Sequence, residues 1–87
     1  MDATNELLQE RAKTHGDYRV HARVTQRLKD QITAEPNYHH LNDCQREAID
    51  MIFHKVGRII AGNPCFKDHW DDIAGYARLV ANQCPSP

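Results

Sequence analysis

The chain has 87 residues with eleven basic and twelve acidic side chains, and its formal net charge is −1. This length predicts one domain over residues 1–87, and the absence of a Lys/Arg cluster argues against binding to long nucleic acid. No apolar run reaches ten residues, so neither a membrane span nor a secretory leader is expected. Three widely spaced cysteines are typical of free thiols in a reducing compartment, and we therefore expect a cytoplasmic protein.

The first half of the chain predicts two helices. The first covers residues 3–14 and ends at Gly16, which can adopt the left-handed conformation that closes a helix. The second covers residues 18–34, with Asp17 as its N-cap and Pro36 beyond its end. An apolar residue recurs every four positions along the second helix, at Val20, Val24, Leu28 and Ile32. In projection His21 lies beside this stripe, where a core histidine bonded to the backbone is the commoner outcome.

The second half predicts two more helices, over residues 43–61 and 69–83. Asn42 and Gln45 form a capping box for the third helix, and Asp68 is the expected N-cap of the fourth. At 100° per residue, each helix has one apolar face expected to lie in the core. These faces comprise Ala48, Ile49, Ile52, Phe53, Val56, Ile59 and Ile60, and then Trp70, Ile73, Ala74, Ala77, Val80 and Ala81. The prediction is an all-α antiparallel bundle of about four helices, with a frayed tail at 84–87.

A polar line runs along the third helix opposite its apolar face. Glu47, Asp50, His54 and Arg58 follow one another at steps of three and four residues, so they share one side of the helix. A face exposed to solvent would explain such a line of polar residues. Gly57 lies beside this line, and a glycine would not be expected on a face exposed to solvent. Glycine costs roughly 0.5–1 kcal/mol relative to alanine inside a helix. Its presence predicts close approach by a ligand or by another helix.

The fourth helix carries a second polar edge, formed by His69, Asp72 and Tyr76 at steps of three and four. A carboxylate beside an apolar face needs a cation, a metal ion or hydrogen bonds. One interpretation pairs Asp72 with an arginine from a neighbouring helix. Another lets Glu47, Asp50 and Asp72 hold Mg²⁺, which prefers oxygen ligands and often shares them with substrate phosphates. Nearby cationic side chains, Arg58 among them, would then contact the phosphates.

Three stretches resemble an uncharacterised family of small phage-encoded proteins: RAKTHGDY at 11–18, REAIDMIFHKVGR at 46–58 and DHWDDIAGYA at 68–77. More distantly, the chain is similar to MazG-like all-α nucleoside-triphosphate pyrophosphohydrolases, which bind Mg²⁺ through E-E-x-x-E and E-x-x-D motifs. That resemblance implies Glu47, Asp50 and Asp72 as metal ligands. Arg46 and His69 stand where that family has glutamates. Because cationic and imidazole side chains attract phosphate directly, this exchange favours binding of a nucleotide over its hydrolysis.

Three functions remain open from the sequence. The leading one is binding of a nucleotide or nucleotide-derived molecule between helices or subunits, for example by a phage protein that sequesters a host signalling nucleotide in the host cytoplasm. The alternatives are a Mg²⁺-dependent nucleotide diphosphohydrolase and a protein-interaction module. The size of the chain predicts a homo-oligomer. The candidate ligand-binding residues are Arg46, His54, Arg58, His69 and Tyr76. A zinc site from Cys65, His69 and His39 or His40 has no second ligand pair to support it.

Overall fold

The computed structural model describes residues 3–86 and confirms the all-α class. Within this range it forms α1 (Ala3–His15), α2 (Tyr18–Thr33), α3 (Asp43–Ala61) and α4 (Lys67–Ala81), with a 3₁₀ helix at Pro36–His40 and no strand. None of the helices in this range is long and apolar enough to cross a membrane. Residues 1, 2 and 87, which are the ends of the predicted domain and of the predicted frayed tail, lie outside the described residues.

Local capping signals place most of the helix ends. Gly16 closes α1 with a φ of +78°, and the carboxylate of Asp17 accepts the Arg19 N–H at 2.8 Å to start α2. Asn42 and Gln45 form both bonds of the predicted capping box. The predicted Asp68 cap is wrong, because α4 already begins at Lys67 and no side chain caps it. Asp68 instead lies in the first turn of α4, where its negative charge interacts favourably with the positive end of the helix dipole.

The central element is α3, with α2 packed along one side and α4 along the other. The backbones of α2 and α4 do not approach each other in the described part of the chain. Both neighbours run antiparallel to α3: His21 of α2 meets His54, whereas Ile32 lies in a groove with Ile49. The three helices therefore form an open layer, and the described chain measures 53 × 26 × 22 Å.

Few apolar side chains are fully covered by this layer. In the range 3–86 only Ala48 and Ile59 are buried apolar side chains. The prediction that Ile60 and Trp70 lie in the core is wrong, since they remain 62% and 52% exposed. The Trp70 indole N–H donates to the Pro64 carbonyl at 2.7 Å. The other members of the two predicted core faces are half-buried (Ile49, Ile52, Phe53, Val56, Ile73 and Val80) or exposed (Ala74, Ala77 and Ala81).

The turn between α1 and α2 docks on the junction between α3 and α4. The Asn63 N–H donates to the Thr14 carbonyl at 3.0 Å. Gly16 lies so close to the backbone of Ala61 and Gly62 that it leaves no room for a side chain. This backbone contact holds α1 near the C-terminal end of α3, and a cavity opens beside it.

Candidate functional site

A cavity of about 250 Å³ lies between α1, α2 and the C-terminal half of α3. Two arginines and three histidines line it, and none of the described residues that line it is acidic. The lining residues are Leu8, Arg11, Ala12, His15, Gly16, Tyr18, His21, His54 and Arg58. Because each of the three helices contributes at least one basic or imidazole group, the cavity is a product of the tertiary fold.

Two histidines from different helices meet at this cavity. His21 Nε2 of α2 lies 3.2 Å from His54 Nδ1 of α3, so one nitrogen donates its proton to the other. The rings meet edge-on, with centroids 4.6 Å apart and an interplanar angle of 87°. His21 is buried, as predicted, and its Nε2 is hydrogen-bonded to His54 of the neighbouring helix. The bond fixes the orientation of His54.

The imidazoles of the cavity are held neutral by their surroundings. Burial, followed by the positive charge of Arg58, lowers the pKa of His54 from its ordinary 6.5 to about 4. The same two causes, in the same order, lower the pKa of His21 and of His15. Near neutral pH the cavity therefore carries positive charge on its two arginines and offers imidazole nitrogens that can donate or accept a hydrogen bond.

The free energy of unfolding is expected to decrease as the pH is lowered, because the pKa of His54 is depressed in the folded state. Below pH 6.5 His54 is protonated in the unfolded chain, whereas in the folded chain it stays neutral down to about pH 4. Protonation therefore stabilises the unfolded state relative to the folded state over this range. The contribution is complete above pH 6.5 and is lost as the pH falls to about 4. We expect a loss of roughly 2 kcal/mol, less than the full shift implies because His54 is partly exposed.

Urea denaturation at several values between pH 7 and pH 4 measures this loss. The variant His54→Gln should show a shallower decline than the wild type over that range. His40→Gln is the matched control, because His40 is exposed on the 3₁₀ helix. Equal slopes for the two variants would contradict the assignment to His54.

The fold separates the predicted ligand-binding residues, and only His54 and Arg58 reach the cavity. Arg46 lies about 18 Å from Arg58 along the helix axis, with its guanidinium 5.2 Å from the Tyr38 ring centre. Tyr76 lines one groove on α4 itself and a second groove between α4 and the start of α3, which Glu47 also lines.

His69 also lies away from a ligand surface. It is 1% exposed and packs against His15 and Phe66. One of its ring nitrogens is 3.4 Å from the Thr14 carbonyl. In this structure His69 is a packing residue, so contact with a bound ligand would require it to become exposed. The sequence did not show this, because its spacing on α4 does not reveal that the α1–α2 turn covers it.

The predicted metal ligands are not assembled into a cluster. Over residues 3–86, no three His, Cys, Asp or Glu side chains are arranged to hold a metal ion. Asp72 is paired with Lys55 of α3 at 2.9 Å, and this contact is the first cause that lowers the pKa of Asp72. A cation from the neighbouring helix was thus correctly anticipated, but it is a lysine and not an arginine. Magnesium binding by Glu47, Asp50 and Asp72 stays a prediction.

Gly57 explains how α2 comes close enough to build the site. It is buried, and a Cβ there would lie 2.5 Å from Thr25 Oγ1 and 2.6 Å from His21 Nδ1. The close approach predicted from this glycine is therefore that of α2 in the same chain. The contributions of Arg11, His15, Tyr18 and His21 to the site were missed. The signal available in the sequence was the pair His21 and Thr25, four residues apart beside the apolar stripe of α2.

Comparisons with known proteins add no relative. No family model, curated protein or solved structure matches this chain. The similarity to phage-encoded proteins and to MazG-like enzymes therefore stays a prediction from the sequence motifs.

Proposed function

We propose that this protein binds a small phosphorylated ligand of the nucleotide class in the cavity between α1, α2 and α3. The observation that carries the proposal is the lining of that cavity by two arginines and three histidines, with no carboxylate among the residues 3–86 that the structure describes. Arg11 and Arg58 approach it from different helices, and guanidinium groups pair well with phosphate oxygens. Under this proposal the site lies within one chain, whereas the sequence had left a site between subunits open.

The histidine pair can add a directed hydrogen bond. When His21 donates to His54 Nδ1, the other nitrogen of His54 carries a proton that an acceptor can bind. A phosphate oxygen is such an acceptor and favours this arrangement over the reverse one. Negative charge in the cavity also opposes the effect of Arg58 on His54, so the bound ligand should raise the pKa of this histidine.

The size and rim of the cavity suit a nucleotide whose base remains partly outside. About 250 Å³ is slightly below the roughly 300–1,000 Å³ typical of ligand pockets. Tyr18 lines the rim and is 76% exposed, with its ring centroid 5.8 Å from that of His21. A base can stack on an exposed aromatic ring of this kind. The phosphate would lie inside, and the base would lie against Tyr18.

A nucleotide panel tests the proposal by thermal denaturation, with and without Mg²⁺. Linear and cyclic nucleotides should be included, and at least one should raise the melting temperature by mass action. Arg58→Ala should weaken its binding roughly tenfold or more, because a hydrogen bond to a charged group contributes about 1.5–3 kcal/mol. Arg46→Ala removes the same charge from the same helix outside the cavity and should leave affinity nearly unchanged.

Recovery of the ligand separates binding from turnover. Ligand recovered intact would support a nucleotide-sequestering protein, whereas a cleaved product would support the diphosphohydrolase alternative. Failure of every nucleotide to shift the melting temperature of the wild type would refute the proposal. Equal losses in Arg58→Ala and Arg46→Ala would place the ligand elsewhere.

A further inference from the structure

The side of the helix layer that faces away from the ligand cavity is apolar and open. Two adjoining grooves run along it and share Leu41 and Ile49 as walls. The first groove lies between α2 and α3 and includes Ile32 and Phe53. The second lies between α3 and α4 and includes Ile52, Ala77 and Val80. We call this surface the apolar face.

The apolar face continues beyond the two grooves along both helices. Ile60 lies on the same arc of α3 as Ile49 and Phe53, since positions 49, 53 and 60 fall within about 40° at 100° per residue. On α4, Trp70 and Ala77 are seven residues apart and share one side. Ile60 and Trp70 are also among the most exposed large apolar residues of the described chain.

Charge is distributed unevenly between the two sides of the layer. Among residues 3–86, Glu35 is the only charged side chain that lines either groove of the apolar face. The opposite side of α3 carries Glu47 and Arg58, and Arg58 contributes to the ligand cavity. An uncharged surface is electrostatically compatible with a copy of itself, because bringing two copies together buries almost no like charge.

The extent of the face matches what a stable dimer needs. The 19 residues of α3 span about 28 Å, and three helices side by side, roughly 8–10 Å apart and each about 10 Å across, form a layer on the order of 27 Å wide. A rectangle of these dimensions covers on the order of 700 Å², close to the roughly 800 Å² per partner of a standard interface. Only Ala48 and Ile59 are buried apolar side chains within residues 3–86, so the covering partner should be present whenever the chain folds. A second copy of the chain meets that condition.

We infer that the apolar face is the interface of a twofold symmetric homodimer. Each layer of three helices covers the other, and the two open faces form one shared core, as layered domains require. The Ile60 and Trp70 side chains become buried in this core, which accounts for the large apolar side chains at positions that are exposed in the single chain. The ligand cavities lie on the outer sides, so loss of the dimer and loss of ligand binding are distinguishable.

Light scattering and sedimentation of the full chain test the dimer. We expect a mass near 20 kDa, twice the 10.0 kDa of the chain, and a melting temperature that rises with protein concentration. Ile60→Lys should weaken the dimer by about a hundredfold or more, because it buries an unpaired charge in each copy. Leu79→Lys is a matched control: Leu79 is 61% exposed against 62% for Ile60, but it lies on the other side of α4, in a groove with Asp72.

Several results would overturn the inference. These are a folded 10 kDa monomer with a concentration-independent melting temperature, a trimer or larger assembly, and equal effects of the two substitutions. If Ile60→Lys fails to fold while Leu79→Lys remains a folded dimer, the interface is confirmed as part of the folding core. In that case the concentration dependence of wild-type melting provides the independent measurement of dimerisation.

Discussion

Replacing Gly16 by alanine is expected to destabilise the protein by about 2–5 kcal/mol. A non-glycine residue at its φ of +78° costs about 1–2 kcal/mol. The new Cβ would lie 1.9 Å from the Ala61 carbonyl oxygen and 2.7 Å from the Gly62 nitrogen. Because both neighbours are backbone atoms, the α1–α2 turn would have to separate from the end of α3, at a further cost of about 1–3 kcal/mol.

Urea denaturation followed by circular dichroism measures the loss, with Gly75→Ala as the control. Gly75 lies inside α4, and a Cβ there would meet nothing within 4 Å. The control should therefore stabilise the protein by roughly 0.5–1 kcal/mol through helix propensity alone. A change of less than about 1 kcal/mol for Gly16→Ala would mean that the turn does not dock on α3 as described. The same variant should also lose ligand affinity, because the α1–α2 turn forms one wall of the cavity.

The second large effect is expected at Gly57, where alanine should have a net cost of about 1–2 kcal/mol. Its Cβ would lie 2.5 Å from Thr25 Oγ1 and 2.6 Å from His21 Nδ1, so α2 must move away from α3. Overpacking of this kind costs typically 1–3 kcal/mol and outweighs the propensity gained by replacing glycine in a helix. Movement of α2 also separates His21 from His54, so ligand affinity should fall together with stability.

A double substitution tests this mechanism. Thr25 Oγ1 is buried and makes no hydrogen bond among the described residues, so Thr25→Ala alone should cost little. Combined with Gly57→Ala it removes one of the two close contacts and should recover part of the lost stability, measured by urea denaturation as a coupling energy. Additive effects of the two substitutions would show that Gly57 matters for another reason. Gly75→Ala again controls for helix propensity.

The cavity and the apolar face assign different tasks to the two sides of one helix. Arg58 and His54 lie on the side of α3 that forms the cavity, whereas Ile49 and Ile52 lie on the side that we propose is covered by a second chain. Because α2 and α4 cover the two flanks of α3, the two remaining arcs of this helix are the ones available for the cavity and for the apolar face. Binding and assembly can therefore be perturbed separately, which the Arg58→Ala and Ile60→Lys variants exploit.

The sequence by itself determined the helices and most of their ends. Capping bonds and helical hydrogen bonds join residues at most four positions apart, so Asp17, Asn42 and Gly16 were identified from the residues next to them. Only α4 began earlier than expected, at Lys67, because no side-chain cap marks its start. The apolar arcs of α3 and α4 were also predicted, since helical periodicity sets the angle of each side chain around its own axis.

Only the tertiary structure decided what each arc meets. Periodicity does not specify which neighbour lies against a given side, so it predicted burial of Trp70 and Ile60, which the single chain leaves exposed. It also grouped His69 with the ligand-binding residues, although the α1–α2 turn covers it. The contact of His21 with His54 joins residues 33 positions apart. Such a contact depends on the packing of whole helices, which Gly57 permits by leaving space for α2, and no local pattern encodes it.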